Sequence, residues 1–417
     1  MKQSIKTAIF SALIGSTALV SAASVAQAGG FSVREQSAEG QGASFAGIAA
    51  GGSDLSSMFF NPATITLHEG VQVEGNAALI LPYSKTTNGA TVAPTGTSPN
   101  SSNIGKFALV PSTYASYQVN ENLFVGFTAN SPFGLVTKGD SSWAGSFYGV
   151  ESDLFMIQAG PTVGYKVNDM FSVAAAVHGV YTDVKLTQNA GAAGTGKLTG
   201  DDWGVNYSLG ILISPTETTR IGVGYNSQTK LKYSGDLEFS AVPALNKRVT
   251  ANLTTPGTLS VGLRQQLGED FTALVGFEWA DWSKLKNLNA IDRATGLSAT
   301  FTDFSWKDSY YYSIGGEYKY SEATTLRAGF AYEESPVPNS TRGVRVPDAN
   351  RYWLSVGASH QVNEDLKVTL GYTHIIVNDG KVNLPIDAPL PGLTANFKQH
   401  VDIVSVSGTY KLDKLFH

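Results

Sequence analysis

The sequence predicts an all-β protein, a fourteen-stranded antiparallel transmembrane β-barrel whose lumen holds an N-terminal plug, or hatch, segment. Three observations lead to this prediction: a composition low in charge, strand-like alternation along the chain, and connections that alternate between short and long. Of the 417 residues, 15% are charged, 11% are aromatic and 44 are glycine. Average domains carry about 25% charged residues, so this composition favours strands with one face in lipid.

The composition also excludes several kinds of site. The chain contains no cysteine, which excludes a disulfide scaffold, a thiolate metal centre and a cysteine nucleophile. The formal net charge of −5 disfavours a nucleic-acid partner, because binding to phosphates needs a basic surface. The six histidines show no metal-ligand spacing. We therefore predict no metal and no cofactor.

Two sequence motifs that would indicate nucleotide binding or hydrolysis are incomplete or absent. The segment Gly191 to Lys197 has the spacing of a phosphate-binding loop, but Leu198 stands where the metal-binding hydroxyl is needed. No serine lies in a nucleophile-elbow signature. We predict neither nucleotide binding nor enzymatic activity.

The N-terminal residues have the pattern of a secretory signal. Lys2 and Lys6 precede an uncharged, partly apolar stretch, and Ala26-Gln27-Ala28 supplies a small-residue cleavage site. We predict a signal peptide over residues 1–28 and a mature chain that begins at Gly29; the alternative is an uncleaved anchoring helix. No run of eighteen apolar residues follows Ala28, so a spanning structure has to be a barrel.

Strand periodicity is clearest at the end of the chain. Val404, Val406 and Tyr410 alternate with Ser405 and Ser407, which makes one face apolar and the other polar. Similar segments predict an even number of strands, as bacterial barrels require, within a barrel over residues 71–417. The predicted strands are 71–83, 107–119, 123–133, 154–167, 170–185, 203–214, 219–233, 257–268, 271–283, 307–320, 324–334, 351–362, 366–376 and 401–412.

The connections between these segments alternate in length. Every second one is short and polar, as at Asn120-Glu121-Asn122 and Asn168-Asp169, and the others are much longer and rich in Gly, Ser, Thr and Asn. Outer-membrane barrels place short turns at the periplasmic end and long loops outside. A soluble lectin-like sandwich, the alternative, gives no reason for this order. Aromatic residues near the strand ends, including Trp282, Tyr311 and Trp353, predict membrane-interface girdles.

Residues 29–70 differ from the rest of the chain. They are rich in Gly, Ala and Ser, and they carry turn signals at Gly51-Gly52 and Asn61-Pro62. Fourteen strands enclose a lumen too wide for their own side chains to fill. We predict that this segment fills it.

Several motifs together resemble a known family. They are Gly29-Gly30-Phe31, Asn61-Pro62-Ala63, Ala280-Asp281-Trp282-Ser283, Ser335-Pro336-Val337-Pro338 and Arg351-Tyr352-Trp353-Leu354-Ser355. In these segments the chain resembles the outer-membrane long-chain fatty acid transporter family, the FadL/OmpP1/TodX group. The resemblance covers nearly the whole mature chain.

The resemblance implies a barrel in the outer membrane of a Gram-negative bacterium, closed by a hatch to which Phe31, Asn61, Pro62 and Ala63 belong. It further implies passive uptake of a hydrophobic molecule and its lateral release through a kinked third strand. The residues support such a kink independently, because Ser131-Pro132-Phe133-Gly134 ends the third predicted strand, and proline removes a ladder donor. The alternative is a proline that simply ends the strand before its loop.

The resemblance also implies a substrate site around Lys307. In the matching segment of the family a lysine lies at the high-affinity site, so Lys307 would hold a carboxylate between the walls formed by Phe304 and Trp306. The alternative is an ion pair of Lys307 with Asp308 or Asp303 at the rim.

A second basic residue of the family falls near the end of the fifth strand. There this chain offers Asp183, Lys185 and Gln188, which makes Lys185 the candidate. Because the family's second basic residue has no exact counterpart here, the prediction that the substrate is a fatty acid is weakened in particular.

The predicted function is passive transport of hydrophobic molecules, with long-chain fatty acids as the leading substrate. Predicted partners are this fatty acid or another hydrophobic small molecule, together with outer-membrane lipid and detergent; nucleic acid and nucleotide are not expected. Two alternatives stay open: an aromatic-hydrocarbon transporter of the same family, and a structural or adhesin barrel that binds a surface partner through its long loops.

Overall fold

A computed structural model describes residues 29–93, 96–97, 99–387 and 390–413, so the predicted signal peptide lies outside the described residues. These residues form one closed antiparallel barrel of fourteen strands, which confirms the predicted fold class. The barrel closes where the first strand pairs with the last, from Gln72 opposite Lys411 to Ala93 opposite Gly392. Closure leaves the sheet without a free edge.

Nine of the strands in the described residues are continuous, and five consist of two segments separated by a break. The continuous strands are β1 (Val71–Ala93), β2 (Ala108–Gln118), β4 (Glu151–Lys166), β5 (Phe171–Asn189), β6 (Thr195–Thr216), β11 (Thr324–Glu333), β12 (Arg351–Gln361), β13 (Leu366–Leu384) and β14 (Gly392–Lys411). The interrupted strands are β3 (Leu123–Asn130 and Gly134–Lys138), β7 (Thr219–Asn226 and Lys230–Phe239), β8 (Lys247–Thr254 and Thr258–Leu267), β9 (Phe271–Ala280 and Asn287–Asp292) and β10 (Ser298–Asp303 and Ser309–Ser321). A short segment, Gly96–Thr97, pairs with the end of β1.

The alternation in β14 separates a lipid face from a lumen face. Val404, Val406 and Tyr410 point outward and are 40–47% exposed, whereas Ser405 and Ser407 are buried in the lumen. Successive side chains in a strand point to opposite faces, so the apolar half of the pattern meets lipid. The polar half faces the barrel interior.

Many strands extend further than the sequence predicts. Pairing of β5 with β6 continues to Asn189 opposite Thr195, so most of the predicted long loop between them is strand. The missed portions of β5 and β6 are rich in Thr, Gly and polar residues. Backbone pairing there needs no apolar alternation, which is the signal that sequence reasoning relies on.

The N-terminal segment, residues 29–70, contains four short helices. They are α1 (Ala38–Gly42) and the 3₁₀ helices Ile48–Ala50, Leu55–Phe59 and Pro62–Leu67. Further 3₁₀ turns lie in the connections, at Ala144–Phe147, Gly191–Ala193, Pro243–Leu245 and Trp282–Lys284. None of the helices in the described part of the chain is long and apolar enough to cross a membrane.

The N-terminal segment contacts opposite sides of the wall. Helix α1 packs against β12 and β13, the 3₁₀ helix Ile48–Ala50 against β7 and β8, and Pro62–Leu67 against β4, β5 and β6. Because the wall is closed, a segment that reaches all of these strands lies in the lumen. Its residues are almost entirely buried.

Glycines in the strands of the wall let the backbone of the N-terminal segment come very close to the wall. A Cβ atom built on Gly222 would lie 1.8 Å from the carbonyl oxygen of Ala49, and one on Gly224 would lie 1.9 Å from that of Phe60. Atoms cannot approach so closely, so a side chain at either position would displace the segment. The same close approach recurs around the wall at Gly210, Gly262, Gly329, Gly357 and Gly371.

We predict that Gly224→Ala loosens the N-terminal segment while the barrel still assembles. The added methyl group overpacks the contact with Phe60, at a cost of about 1–3 kcal/mol. Single-channel conductance in planar bilayers should rise severalfold. Gly408→Ala is the matched control, because nothing lies within 4 Å of a Cβ at Gly408; equal conductance of the two variants would contradict the packing described.

Candidate functional site

The wall is irregular where β3 is interrupted. Its first segment ends with Asn130 opposite Gln158, and its second begins with Gly134 opposite Phe155. Three residues of β3 therefore face two of β4, which is a bulge centred on Pro132. Since the strand resumes at Gly134, Pro132 does not simply end it.

The same break separates β3 from its other neighbour. Pairing of β2 with β3 runs from Gln118 opposite Phe124 to Thr113 opposite Ala129 and stops there. On its other side, β2 stays paired with β1 as far as Ala108 opposite Ile80. Within the described residues, 108–112 thus form an edge of β2 that has no ladder partner in β3.

The N-terminal segment pairs with the displaced part of β3. The backbone N–H of Val33 donates to the carbonyl of Pro132 at 2.9 Å, and the N–H of Gly134 donates to the carbonyl of Phe31 at 2.9 Å. Gln36 adds a bond from its side-chain amide to the carbonyl of Ser131 at 2.7 Å. The residues predicted for the lateral opening therefore bind the segment predicted as the hatch.

A cluster of aromatic rings, the aromatic cluster, lies beside this break. Phe31 has its ring centroid 6.0 Å from that of Phe133, 4.7 Å from Trp282 and 5.7 Å from Trp306. The ring of Phe304 lies 5.6 Å from that of Trp306. Residues that the sequence assigned separately to substrate, hatch and opening thus meet at one place.

The prediction of interface girdles was wrong for several aromatic residues. Trp282, Tyr311 and Trp353 are 1%, 4% and 0% exposed, and all three face the lumen. Alternation gives the face of a residue only while the strand is regular. At Trp282 the chain leaves β9 and forms a 3₁₀ turn, Trp282–Lys284.

Apolar space continues on both sides of the aromatic cluster. Above it, a groove with about 400 Å³ of void, part of it open to solvent, is lined by Val184, Leu198 and Leu253 among others. Val184 and Leu253 also pack against the cluster. On the other side Phe133 and Pro132 line a cavity of about 560 Å³, likewise partly open.

A buried ionic network borders the cavity. Arg34 donates to Glu278 at 2.5 Å and to Glu333 at 3.2 Å, and its guanidinium lies 3.8 Å from the ring centroid of Tyr311. Burial alone would lower the pKa of Arg34, but Glu278 and Glu333 outweigh burial and hold it above its ordinary value. The network fixes the N-terminal segment against β9 and β11.

The predicted hatch residues Asn61, Pro62 and Ala63 tie the segment to the wall. The side-chain amide of Asn61 donates to the carbonyls of Ala49 at 2.7 Å and Ile211 at 2.9 Å. Its oxygen accepts from the N–H of Ala63 at 3.0 Å and so caps the helix that Pro62 begins. One residue thus satisfies backbone groups of the segment and of β6.

The two predicted lysines lie outside the aromatic cluster. Lys307 is exposed, and no carboxylate in the described residues lies within ion-pair distance of it. Asp308 instead accepts from the indole N–H of Trp279 at 3.0 Å, and Asp303 accepts from the hydroxyl of Ser305 at 2.6 Å. Neither forms the rim ion pair considered as the alternative.

Lys185 is engaged elsewhere. Its ammonium lies 3.0 Å from the carboxylate of Glu151, and it points to the opposite face of β5 from its neighbour Val184, which packs against the cluster. The structure does not bring Lys185 to the other predicted site residues.

Sequence reasoning missed Arg345, a cation near the end of β5. Its guanidinium donates to the carbonyl of Glu151 at 2.8 Å, to the hydroxyl of Ser152 at 3.1 Å and to the side-chain oxygen of Gln188 at 3.1 Å. All three acceptors are uncharged, and burial lowers the pKa of Arg345 to about 10. Its partners lie more than 150 residues away, so no local pattern identifies it.

The fold and the site define an outer-membrane channel with a filled lumen and an interrupted wall. Residues 19–412 match the model of the family described as outer membrane protein transport protein (OMPP1/FadL/TodX), and the chain belongs to this family. It is therefore a transporter of hydrophobic molecules in the outer membrane of a Gram-negative bacterium, and not an enzyme.

The chain is similar to three proteins of known name. A long-chain fatty acid transport protein of Escherichia coli O6:H1 (strain CFT073) is 28% identical over 407 residues, which cover 88% of this chain and 90% of that protein. The crystal structure of a Pseudomonas aeruginosa FadL homologue superposes with a TM-score of 0.85 at 20% identity, covering 92% and 99%. The toluene transporter TodX of P. putida gives 0.66 at 18% identity, covering 86% and 94%.

We predict that docking of the N-terminal segment depends on pH through Glu35. Burial, partly offset by Arg34 and Arg351, raises the pKa of Glu35 from 4.5 to about 7. The docked state then binds more protons than the undocked state between these values, so docking weakens as pH rises from 4.5 to 7.

Bilayer conductance, read from pH 4 to pH 8, measures this dependence. Glu35→Gln should make the rise in conductance shallower. Part of the slope should remain, because burial also raises the pKa of Asp54 to about 7. An unchanged slope in the Gln variant would contradict the assignment.

Proposed function

We propose that the barrel carries long-chain fatty acids and releases them sideways into the membrane at the break in β3. The observation that carries this proposal is the aromatic cluster, in which Trp306, Phe31 and Phe133 lie together. The cluster joins the interruption of β10, where Trp306 lies, to the N-terminal segment and to the break in β3. An apolar molecule held there touches all three parts.

The apolar surfaces support a continuous path for an acyl chain. Val184 and Leu253 line the outer groove and contact the aromatic cluster, and Phe133 belongs to both the cluster and the cavity beside the break. Burial of apolar area stabilises a hydrocarbon by about 25 cal/mol per Å². The path ends at Pro132 and Phe133, in the break in β3.

Passage straight down the lumen is opposed by buried ion pairs. Arg327 lies 2.7 Å from Glu317 and 3.2 Å from Glu39 of the N-terminal segment, and Lys367 contacts Ser53. Breaking a buried pair costs about 3–5 kcal/mol, and an acyl chain offers no replacement for the lost hydrogen bonds. A sideways exit leaves these pairs intact.

Lys307 supports recognition of a carboxylate. It follows Trp306 of the aromatic cluster, and both nearby carboxylates, Asp303 and Asp308, accept hydrogen bonds from other groups. Its ammonium is therefore available to a fatty-acid head group while the tail contacts the rings.

An aromatic hydrocarbon is the second candidate substrate. The cluster of Phe31, Phe133, Trp282 and Trp306 offers ring edges and faces without any need for charge. The TodX structure, which shares the fold, is named as a toluene transporter.

We predict that Pro132→Thr combined with Gly134→Val closes the break. A backbone donor at position 132 and a β-branched residue at position 134 favour continuous pairing of β3. Uptake of labelled fatty acid should fall about tenfold or more, with unchanged heat-modifiable migration of the folded barrel on gels.

The matched control is Pro161→Thr combined with Gly75→Val. Pro161 is exposed in β4, and nothing lies within 4 Å of a Cβ at Gly75. Full uptake by the double variant at the break would show that the substrate leaves by another route.

We predict that Lys307→Met weakens fatty-acid binding about tenfold to hundredfold, because a charge-assisted hydrogen bond is lost. Binding of toluene should hardly change, since a neutral ring gains nothing from the charge. Lys230→Met, on the outward face of β7, controls for general loss of charge. Equal binding of both ligands before and after the change would remove Lys307 from the site.

A further inference from the structure

We propose that Glu333 binds a primary ammonium, the α-amino group that cleavage after Ala28 creates at Gly29, while Asp348 holds the backbone N–H of Gly30 beside it. This ion pair docks the start of the mature chain beside the break in β3. The site concerns the chain's own terminus, so it does not depend on which hydrophobic molecule the barrel carries.

Two carboxylates meet the first two backbone nitrogens of the predicted mature chain. The nitrogen of Gly29 lies 3.0 Å from Oε1 of Glu333, and the nitrogen of Gly30 lies 2.9 Å from Oδ2 of Asp348. The side chains of Glu333 and Asp348 are 4% and 0% exposed. Cleavage after Ala28 would change the first nitrogen, which lies beside Glu333, from an amide into an ammonium.

The surrounding charges favour a further cation. Arg34 and Arg351 form ion pairs with three carboxylates, those of Glu278, Glu333 and Asp348. A third guanidinium, that of Arg342, donates to the main-chain carbonyl of Asp348 rather than to its carboxylate. Two guanidinium groups are thus shared among the three carboxylates. Burial of a carboxylate is costly unless opposite charge compensates it, and an ammonium at Gly29 adds to that compensation.

Glu35 adds to this excess of acidic groups. It also faces the network, and burial raises its pKa to about 7, so near neutral pH it contributes additional partial negative charge. The ammonium would offset this charge as well as that of Glu333.

The space around the terminus fits a chain end without side chains. A Cβ on Gly29 would lie 2.6 Å from Oε1 of Glu333, and one on Gly30 would lie 2.6 Å from the ring of Trp306. Gly30 also has a φ of +69°, which favours glycine. The next residue, Phe31, then enters the aromatic cluster, so the ammonium site and the ring contacts hold the same three residues.

The position of cleavage therefore sets the strength of docking. An uncleaved chain, or one that is cleaved one residue earlier, places an uncharged amide at Gly29. Such a chain keeps a hydrogen bond to Glu333 but loses the ion pair. We expect its first residues to undock more often from the break.

The experiment measures acylation of the α-amine in the folded barrel. The mass of the purified protein first establishes that the chain begins at Gly29. An N-hydroxysuccinimide ester is then added, and labelling of the N-terminal peptide is followed by mass spectrometry. The parent, a variant with Ala inserted between Ala28 and Gly29, Glu333→Gln, and their combination are compared.

Loss of the ion pair should raise the labelling rate about tenfold or more. Each single change should do so, and the combination should add little, since both remove the same contact. Glu334→Gln, at the neighbouring position, should label like the parent. If Glu333→Gln fails to fold, as judged by heat-modifiable migration, Glu333→Asp takes its place, because the shorter side chain withdraws the carboxylate from Gly29.

Three results would overturn the proposal. One is a mature chain that begins at a residue other than Gly29. The second is a parent α-amine that reacts as fast in the folded barrel as in the denatured chain. The third is full additivity of the insertion and Glu333→Gln.

Discussion

The width of the lumen is the constraint on which the rest of the structure depends. Fourteen strands cannot fill their own interior with side chains, and here residues 29–70 fill it instead. The fit is backbone against backbone, since the wall carries glycines such as Gly222 and Gly224 where the segment passes. Asn61 then satisfies carbonyls of both the segment and the wall.

A filled lumen also accounts for the position of the break. Where Pro132 displaces β3 from β2, the N-terminal residues Phe31 and Val33 take over its backbone hydrogen bonds. At this place β3 is thus held by the segment inside the barrel rather than by the neighbouring strand β2. Apolar surface converges there as well, because Phe31 and Phe133 belong to the same aromatic cluster.

Local patterns identify the barrel but not its interior. Alternation predicts the membrane portions of the strands, as in β14, and Pro132 and Gly134 mark the break from sequence alone. The outer extensions of β5 and β6, residues 186–189 and 195–202, were missed because Leu186 and Leu198 are the only large apolar residues in them. Trp282 was misassigned because periodicity fails where the chain leaves a strand, and the contacts of Arg34 and Arg345 join residues too distant for any local signal.

A disulfide between the N-terminal segment and the wall tests sideways release most directly. The hydroxyl oxygens of Ser44 and Ser355 lie 2.7 Å apart, and the chain has no cysteine of its own, so Ser44→Cys with Ser355→Cys gives one defined crosslink. Uptake of labelled fatty acid by oxidised and reduced protein is then compared. The account predicts equal uptake; loss on oxidation with recovery on reduction would contradict it.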